Sequence, residues 1–467
     1  LNDENSIGAS YDLECEPYEK GHVDGQQEIF SEGQPVDIIK QKVLVDDIGG
    51  PTHELNAYYV GKVNKLGIDF NGTYLWQKTG RDMLETEEAT VLENREIHTA
   101  SRRHNQLLAG KLVLSYPIAK GQLELGSEVS HTHSSGEYSN AEGIVADAST
   151  DMKENNWAGF LAFSYPLGSF SMDAGLRYEY VSAKYYSFGK YEEEPSRNYS
   201  NWFPNLTLSW NKEPWAASLA YTCKTKRPSY SSLRNEVQYD NRYMYEGGDP
   251  YLRPTIAHDV SLDVMCNWIS FGVEYLYEDN PIIWYVTLYN HQDIAFMRNV
   301  NFSSKQTMTA YVIAAPKFDW YQPTWQVFFQ KPFFDAEKYG APRGLSKPAL
   351  GITWNNQFKL NSTWTSWVTL HANTTSYNAF RRYRSGYFAS MRMVKTFLDE
   401  ALTVNFYADD IFRSQKDQWT MYGDHATLTK DSYNSAREIG VRVVYKFNSG
   451  HRKYKGSGAG NAEKSRF

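Results

Sequence analysis

The residue types that could do chemistry are scattered, and most have a plainer use. His131 and His133 stand two apart on an alternating stretch, so both rings face one way, a spacing that could hold a metal ion. Glu137 is close, but no carboxylate or Cys is fixed beside them by spacing, and the pair reads as the solvated outer end of a strand. The acidic runs Glu85–Glu88 and Glu192–Glu194 could attract cations; charge runs in loops are usually solvated. Asp409 and Asp410 would lie on opposite faces of a strand end, so they form no acid–base pair. Gly456–Asn461 superficially resembles a phosphate loop, but it follows no βαβ pattern and opens no apolar helix. Neither a Gly-x-Ser-x-Gly elbow nor a His-Glu-x-x-His motif occurs. The three cysteines, Cys15, Cys223 and Cys266, match no zinc or redox spacing. No enzyme constellation emerges, and no cofactor or metal is called for.

One stretch suits binding rather than catalysis. Residues 229–251 carry Tyr230, Tyr239, Tyr243, Tyr245 and Tyr251 with Arg234 and Arg242. Rigid rings beside guanidinium groups fit glycans, peptides or small chelates. The plainer use of the same residues is to pack this loop against its neighbours.

The elements that must position these residues are strands. In Leu66–Trp76 one face holds Leu66, Ile68, Phe70, Gly72, Tyr74 and Trp76, the other Gly67, Asp69, Asn71, Thr73 and Leu75. Stretches 169–180, 259–264 and 401–409 alternate in the same way, without helical interludes. Eight tight connections, around 63–67, 118–122, 166–169, 210–214, 266–270, 319–323, 360–363 and 397–401, alternate mostly with longer polar stretches. Those stretches, 78–105, 135–154, 185–198, 227–254, 335–347 and 413–431, are expected to be loops. Short turns at one end and long loops at the other define an antiparallel up-and-down transmembrane β-barrel. About eighteen strands of the ~9–11 residues that cross a bilayer fit, the first near Asn5–Glu14.

Composition agrees. Aromatic residues make up 15% of the 467, as interface girdles require, and the charge of −7 with no basic stripe argues against nucleic acid. Mean hydropathy is −0.60 and no apolar run reaches the ~18 residues of a membrane helix. Barrel strands, being half polar, escape both measures. In the last strand Ile439, Val441, Val443, Tyr445 and Phe447 share one face, which should meet lipid. The domain reading is a barrel over 1–447 and a flexible, basic, Gly-rich periplasmic tail over 448–467.

Three segments resemble the outer-membrane β-barrel group of TonB-dependent transporters common in Bacteroidetes-type bacteria. The first holds Arg227, Pro228 and Tyr230, then Gly248, Asp249, Pro250, Leu252 and Pro254; the second is Tyr277–Ile282; the third is the terminal strand and tail. The combination Gly440, Val443, Tyr445 and Phe447 is similar to the signal read by the barrel-insertion machinery. The resemblance implies import across the outer membrane of a Gram-negative bacterium. Outer loops would recognise the ligand, with Tyr230, Arg234, Tyr239, Arg242, Tyr243 and Tyr245 as candidates. It implies as partners the lipids, the insertion machinery, a TonB-type energy-coupling complex and a surface lipoprotein. Such barrels have 22 strands around a plug. No signal peptide, TonB-contact segment or plug stands in this sequence, so the expectation is the C-terminal portion of a longer protein, inactive alone. The competing reading is a soluble, Tyr/Trp-rich all-β glycan-binding protein; a propeller would repeat a motif every ~40–45 residues, and none repeats here.

Overall fold

The computed structural model describes residues 5–15, 17–290, 293–433, 435–447 and 456–467. One antiparallel sheet of twenty strands dominates it. Two of its pairs are collinear. Ser6–Cys15 pairs with Pro51–Val63, and Glu19–Ser31 with Gln34–Ile48, in one continuous register from Ser6↔Val60 to Ile29↔Asp37. Each pair of pieces is therefore one pass, and the sheet makes eighteen passes.

We number them in order: β1 (Ser6–Cys15 continued by Glu19–Ser31), β2 (Gln34–Ile48 continued by Pro51–Val63), β3 (Leu66–Ala89), β4 (Arg95–Ile118), β5 (Gly121–Asn140), β6 (Ala148–Leu167), β7 (Phe170–Ser187), β8 (Lys190–Lys212) and β9 (Trp215–Lys226). Then come β10 (Thr255–Cys266), β11 (Ile269–Asp279), β12 (Ser304–Ala314), β13 (Tyr321–Phe333), β14 (Ala349–Lys359), β15 (Trp364–Asn373), β16 (Gly386–Phe397), β17 (Leu402–Asp409) and β18 (Glu438–Tyr445). Every pass is hydrogen-bonded to the next. Among the described residues β1 and β18 are not paired with each other.

All eight tight connections fall at one end of the sheet, as the sequence indicates. Three of the polar stretches at the other end do not form loops. β3 and β4 run 24 residues each, with only 90–94 between them. Residues 135–140 and 148–154 belong to β5 and β6, and β7 meets β8 at Phe188–Gly189. These strands far exceed the ~9–11 residues that cross a bilayer. Beyond the membrane the outer face meets water, so the alternation that marks a strand fades and polarity mimics a loop.

The two faces of the wall differ as expected. On β3, Phe70 and Tyr74 are exposed while Asn71, Thr73 and Leu75 are buried; on β7, Leu176 and Tyr180 are exposed while Glu179 and Val181 are buried. On β18, Ile439, Val441, Val443 and Tyr445 point outward. Gly440 faces inward beneath Tyr407, where an added Cβ would lie 2.5 Å from the phenol oxygen.

Aromatic pairs border this apolar band. Near the tight turns stand Phe163–Tyr165, Phe170–Trp210 and Tyr321–Phe358, with centroids 5.9, 6.4 and 5.1 Å apart. At the other border stand Trp157–Tyr180 at 5.8 Å and Tyr178–Trp202 at 4.8 Å. Phe170 to Tyr178 is eight residues; at ~3.3 Å per residue and a tilt of ~40° that is about 20 Å of thickness, close to the ~25 Å of an outer-membrane band. His53, Trp76, His104 and His133 continue the upper border, with successive rings 5.4, 5.4 and 6.3 Å apart.

The remaining connections fold over the long-strand end. Val237–Asn241, Met244–Gly247, Ala295–Asn301 and Ile282–Leu288 make one small sheet; Ser376–Asn378, Arg381–Tyr383, Asp417–Tyr422 and Thr427–Ser432 make another. A shared core holds them, with Phe380, Val286 and Met421 wholly buried and Tyr285 and Phe302 within about 5 Å of the Phe380 ring.

Candidate functional site

On the inner face of β5, β6 and β7 the register sets carboxylates near one another. Glu128 and Glu179 both lie opposite Ala158, and Glu154 lies opposite Thr132 and Ala183. Arg177 bridges Glu128 at 3.1 Å and Glu179 at 2.6 Å, and Arg227, just past β9, reaches Glu179 at 2.5 Å. Such charges tolerate burial only with partners.

Further partners come from 456–467, which corrects the expectation of a free, flexible periplasmic tail for that part of it; 448–455 lie outside the described residues. The amides of Ser457 and Gly458 donate to Asn71 Oδ1 at 2.9 and 3.3 Å, that of Ala459 to Thr73 Oγ1 at 3.0 Å, and that of Gly460 to Glu128 Oε1 at 3.0 Å. After a turn of helix, Asn461–Lys464, Glu463 accepts from Asn156 Nδ2 at 3.0 Å and Arg227 Nη1 at 2.9 Å. Lys464 meets Glu54 at 2.8 Å, and both Arg466 Nη atoms donate to the Glu154 carboxylate. The composition of this segment suits a solvated tail. The inner wall pairs its charges instead, so burial leaves them compensated.

Residues 227–254 fold inward over the same wall. Of the six side chains expected to meet a ligand, five are buried within the chain: Tyr230, Arg234, Tyr239, Arg242 and Tyr245. Tyr230 donates to Glu154 at 3.3 Å, stacks on Phe467 at 5.5 Å and lies 4.1 Å beneath the Arg466 guanidinium. Tyr239 and Arg242 share Glu87, at 2.9 Å and 3.0 Å, and half-buried Tyr243 donates to Asp37 at 3.0 Å. Tyr245 packs on Tyr239 at 5.6 Å. In this conformation these residues anchor the segment to the wall. Arg234 is the exception in having Nε and Nη1 without a partner among the described residues, and burial pulls its guanidinium down to about 10. Within Gly248-Asp249-Pro250, an added Cβ on Gly248 would lie 2.2 Å from the Arg234 carbonyl oxygen.

The acidic run at Glu85–Glu88 is not a solvated loop either. Glu85 and Glu87 are buried on the inner face of β3 beneath 237–247. Burial pushes Glu85 up to about 9, and likewise Asp240 to about 6 and Glu246 to about 7. His131 and His133 sit in strand, bonded to Asn155 at 2.8 Å and Asp151 at 2.6 Å. Among the described residues no cluster of three metal-binding side chains occurs.

Sequence reasoning missed Glu128, Glu154, Glu179, Glu463 and Arg466. Each is legible as an inward or tail charge, but their meeting depends on register between distant strands.

An outer wall that is apolar between aromatic borders, around a charged interior, defines an outer-membrane barrel. The family model for the outer membrane protein beta-barrel family matches residues 61–445, and the chain belongs to that family. Its place is therefore the outer membrane, which overturns the soluble glycan-binding alternative. Among solved structures the copper transporter OprC shares the fold, with a TM-score of 0.61 and 10% identity over 96% of this chain and 77% of that one. The FrpB iron transporter from Neisseria meningitidis (F3-3 variant) follows at 0.50 and 12%, over 96% and 82%. A Serratia marcescens hemophore receptor, HasR, in complex with its hemophore HasA and heme, stands at 0.51 and 8%, over 95% and 78%. No curated protein matches the chain.

Proposed function

We propose that this chain is the barrel of an energy-coupled importer of the TonB-dependent, Bacteroidetes-type group. The observation that carries this reading is the wide wall, apolar outside and charged inside, with long connections folded over one mouth. Solved proteins of the same fold are described as a copper transporter, an iron transporter and a hemophore receptor. The folded connections would recognise the ligand, and the lumen would be its path rather than a reaction centre. Gating would fall to a plug that answers to a TonB-type complex. Gly440, Val443, Tyr445 and Phe447 would be read by the insertion machinery, and a surface lipoprotein would serve as a further partner. The reading calls for no cofactor.

The test uses the full-length gene in its own host. Deleting it should abolish uptake of one member of a panel of ferric chelates, haem, corrinoids, glycans and peptides. Restoring it should recover that uptake, and a protonophore should block it. Uptake that persists after the proton gradient collapses would assign a passive channel instead.

A further inference from the structure

We infer that the inner wall of β2–β7, with residues 227–230, forms a binding site for a short basic peptide, and that 456–467 is its tethered occupant. This goes beyond import, since it concerns an internal ligand rather than the cargo. Three observations carry it.

The first is complementarity in register. Along the segment a backbone-donor stretch at 457–460 meets acceptors on Asn71, Thr73 and Glu128. Then an anion, Glu463, meets Arg227, and two cations, Lys464 and Arg466, meet Glu54 and Glu154. A segment collapsed by net attraction alone would bring only its cations to carboxylates. Here an anion, Glu463, precedes them and meets a cation, Arg227.

The second is steric fit. Gly458 and Gly460 have φ of +71° and +67°, a backbone that L side chains rarely adopt. An added Cβ on Gly460 would lie 2.7 Å from Ala109 Cβ and 3.0 Å from Leu107 Cδ2. Leu75, Leu107, Ala109 and Ala459 form a small apolar core where the segment crosses the wall.

The third is interlock. The Tyr230 amide donates to the Arg466 carbonyl at 3.1 Å, and Arg466 Nε donates to the Pro228 carbonyl at 3.0 Å. A cavity of about 30 Å³ borders both segments, lined by Glu154, Tyr199, Leu252 and Arg466. That is room for about one water. The occupant therefore also keeps 227–254 seated on the wall.

The test is cross-linking in the full chain, folded in detergent, with Cys15, Cys223 and Cys266 replaced by Ala. Thr73→Cys with Ala459→Cys should form a disulfide on mild oxidation. Ala459→Cys with Asn405→Cys, on the far β17, should not. The heat-induced shift on gels reports folding for every variant. Adding Lys464→Gln and Arg466→Gln, which leave the wall untouched, should lower the Thr73/Ala459 yield at least tenfold. So should a molar excess of the synthetic peptide 457–467, whereas the same peptide carrying Lys464→Glu and Arg466→Glu should not. Equal yields from the two cysteine pairs would overturn the inference. So would a yield indifferent to both charge neutralisation and peptide. Neither readout requires transport, so the inference can fail while the importer reading stands, and the reverse.

Discussion

Leu161 stands on the outer face of β6, four residues from Trp157 toward one aromatic border and four from Tyr165 toward the other. At ~3.3 Å per residue and ~40° of tilt it lies about 10 Å from each border, near the bilayer midplane. It faces lipid beside Leu176, its partner on β7. Leu161→Arg places a guanidinium where no water and no carboxylate can reach it. The expected cost is ~2–4 kcal/mol, which is roughly a 30- to 700-fold fall in the folding equilibrium constant at 1.4 kcal/mol per decade. Asp173→Lys is the matched control: Asp173 is an inward residue of the same band, three residues above Phe170. A lysine there meets the wet lumen and should cost well under half as much. The assay is reversible urea unfolding in phospholipid vesicles, followed by tryptophan fluorescence. If Asp173→Lys cost as much as Leu161→Arg, the assignment of faces would be wrong, and the membrane band with it.

Docking of 237–247 should weaken as pH rises. Glu85 at about 9, Asp240 at about 6 and Glu246 at about 7 all hold protons that the undocked chain would release near 4; raising pH through that window favours the undocked state. Hydrogen exchange in 237–247 should be faster at pH 9 than at pH 5, and Glu85→Gln should flatten the upper part of that dependence. An unchanged slope would refute the buried-carboxyl account. Gly248→Ala must move backbone, since its methyl would meet the Arg234 carbonyl at 2.2 Å. It should cost ~1–3 kcal/mol locally, seen as faster trypsin cleavage at Arg234 or Arg242 with the barrel's own heat shift unchanged. Cys223 pairs with His258 and Cys266 with Trp215, eight residues further along β9; that is about 26 Å, far beyond the ~7 Å a disulfide permits. Thiol mass spectrometry after oxidation should find these two unbridged, and a bridge would break the strand order.

The sequence alone determined the strands that cross the membrane. Alternation from Leu66 to Trp76 and from Phe170 to Tyr180 needs only two different solvents on the two faces, and both lie in local order. The eight tight turns and the outward face of β18 are legible for the same reason. Where β3–β8 rise beyond the lipid, the outer face meets water, and the signal that separates strand from loop vanishes. The role of 227–254 was equally open, because tyrosine and arginine serve a binding surface and a packed anchor alike; only the tertiary structure shows Tyr230 and Arg242 buried against Glu154 and Glu87. The segment 456–467 was the furthest from reach. Its glycines and charges describe a solvated tail, and nothing nearby in the chain contradicts that. The tertiary structure places Glu154 opposite Arg466, more than three hundred residues away. Whether a charge is solvated or buried depends on where its partner sits, and strand register, not local sequence, fixes that.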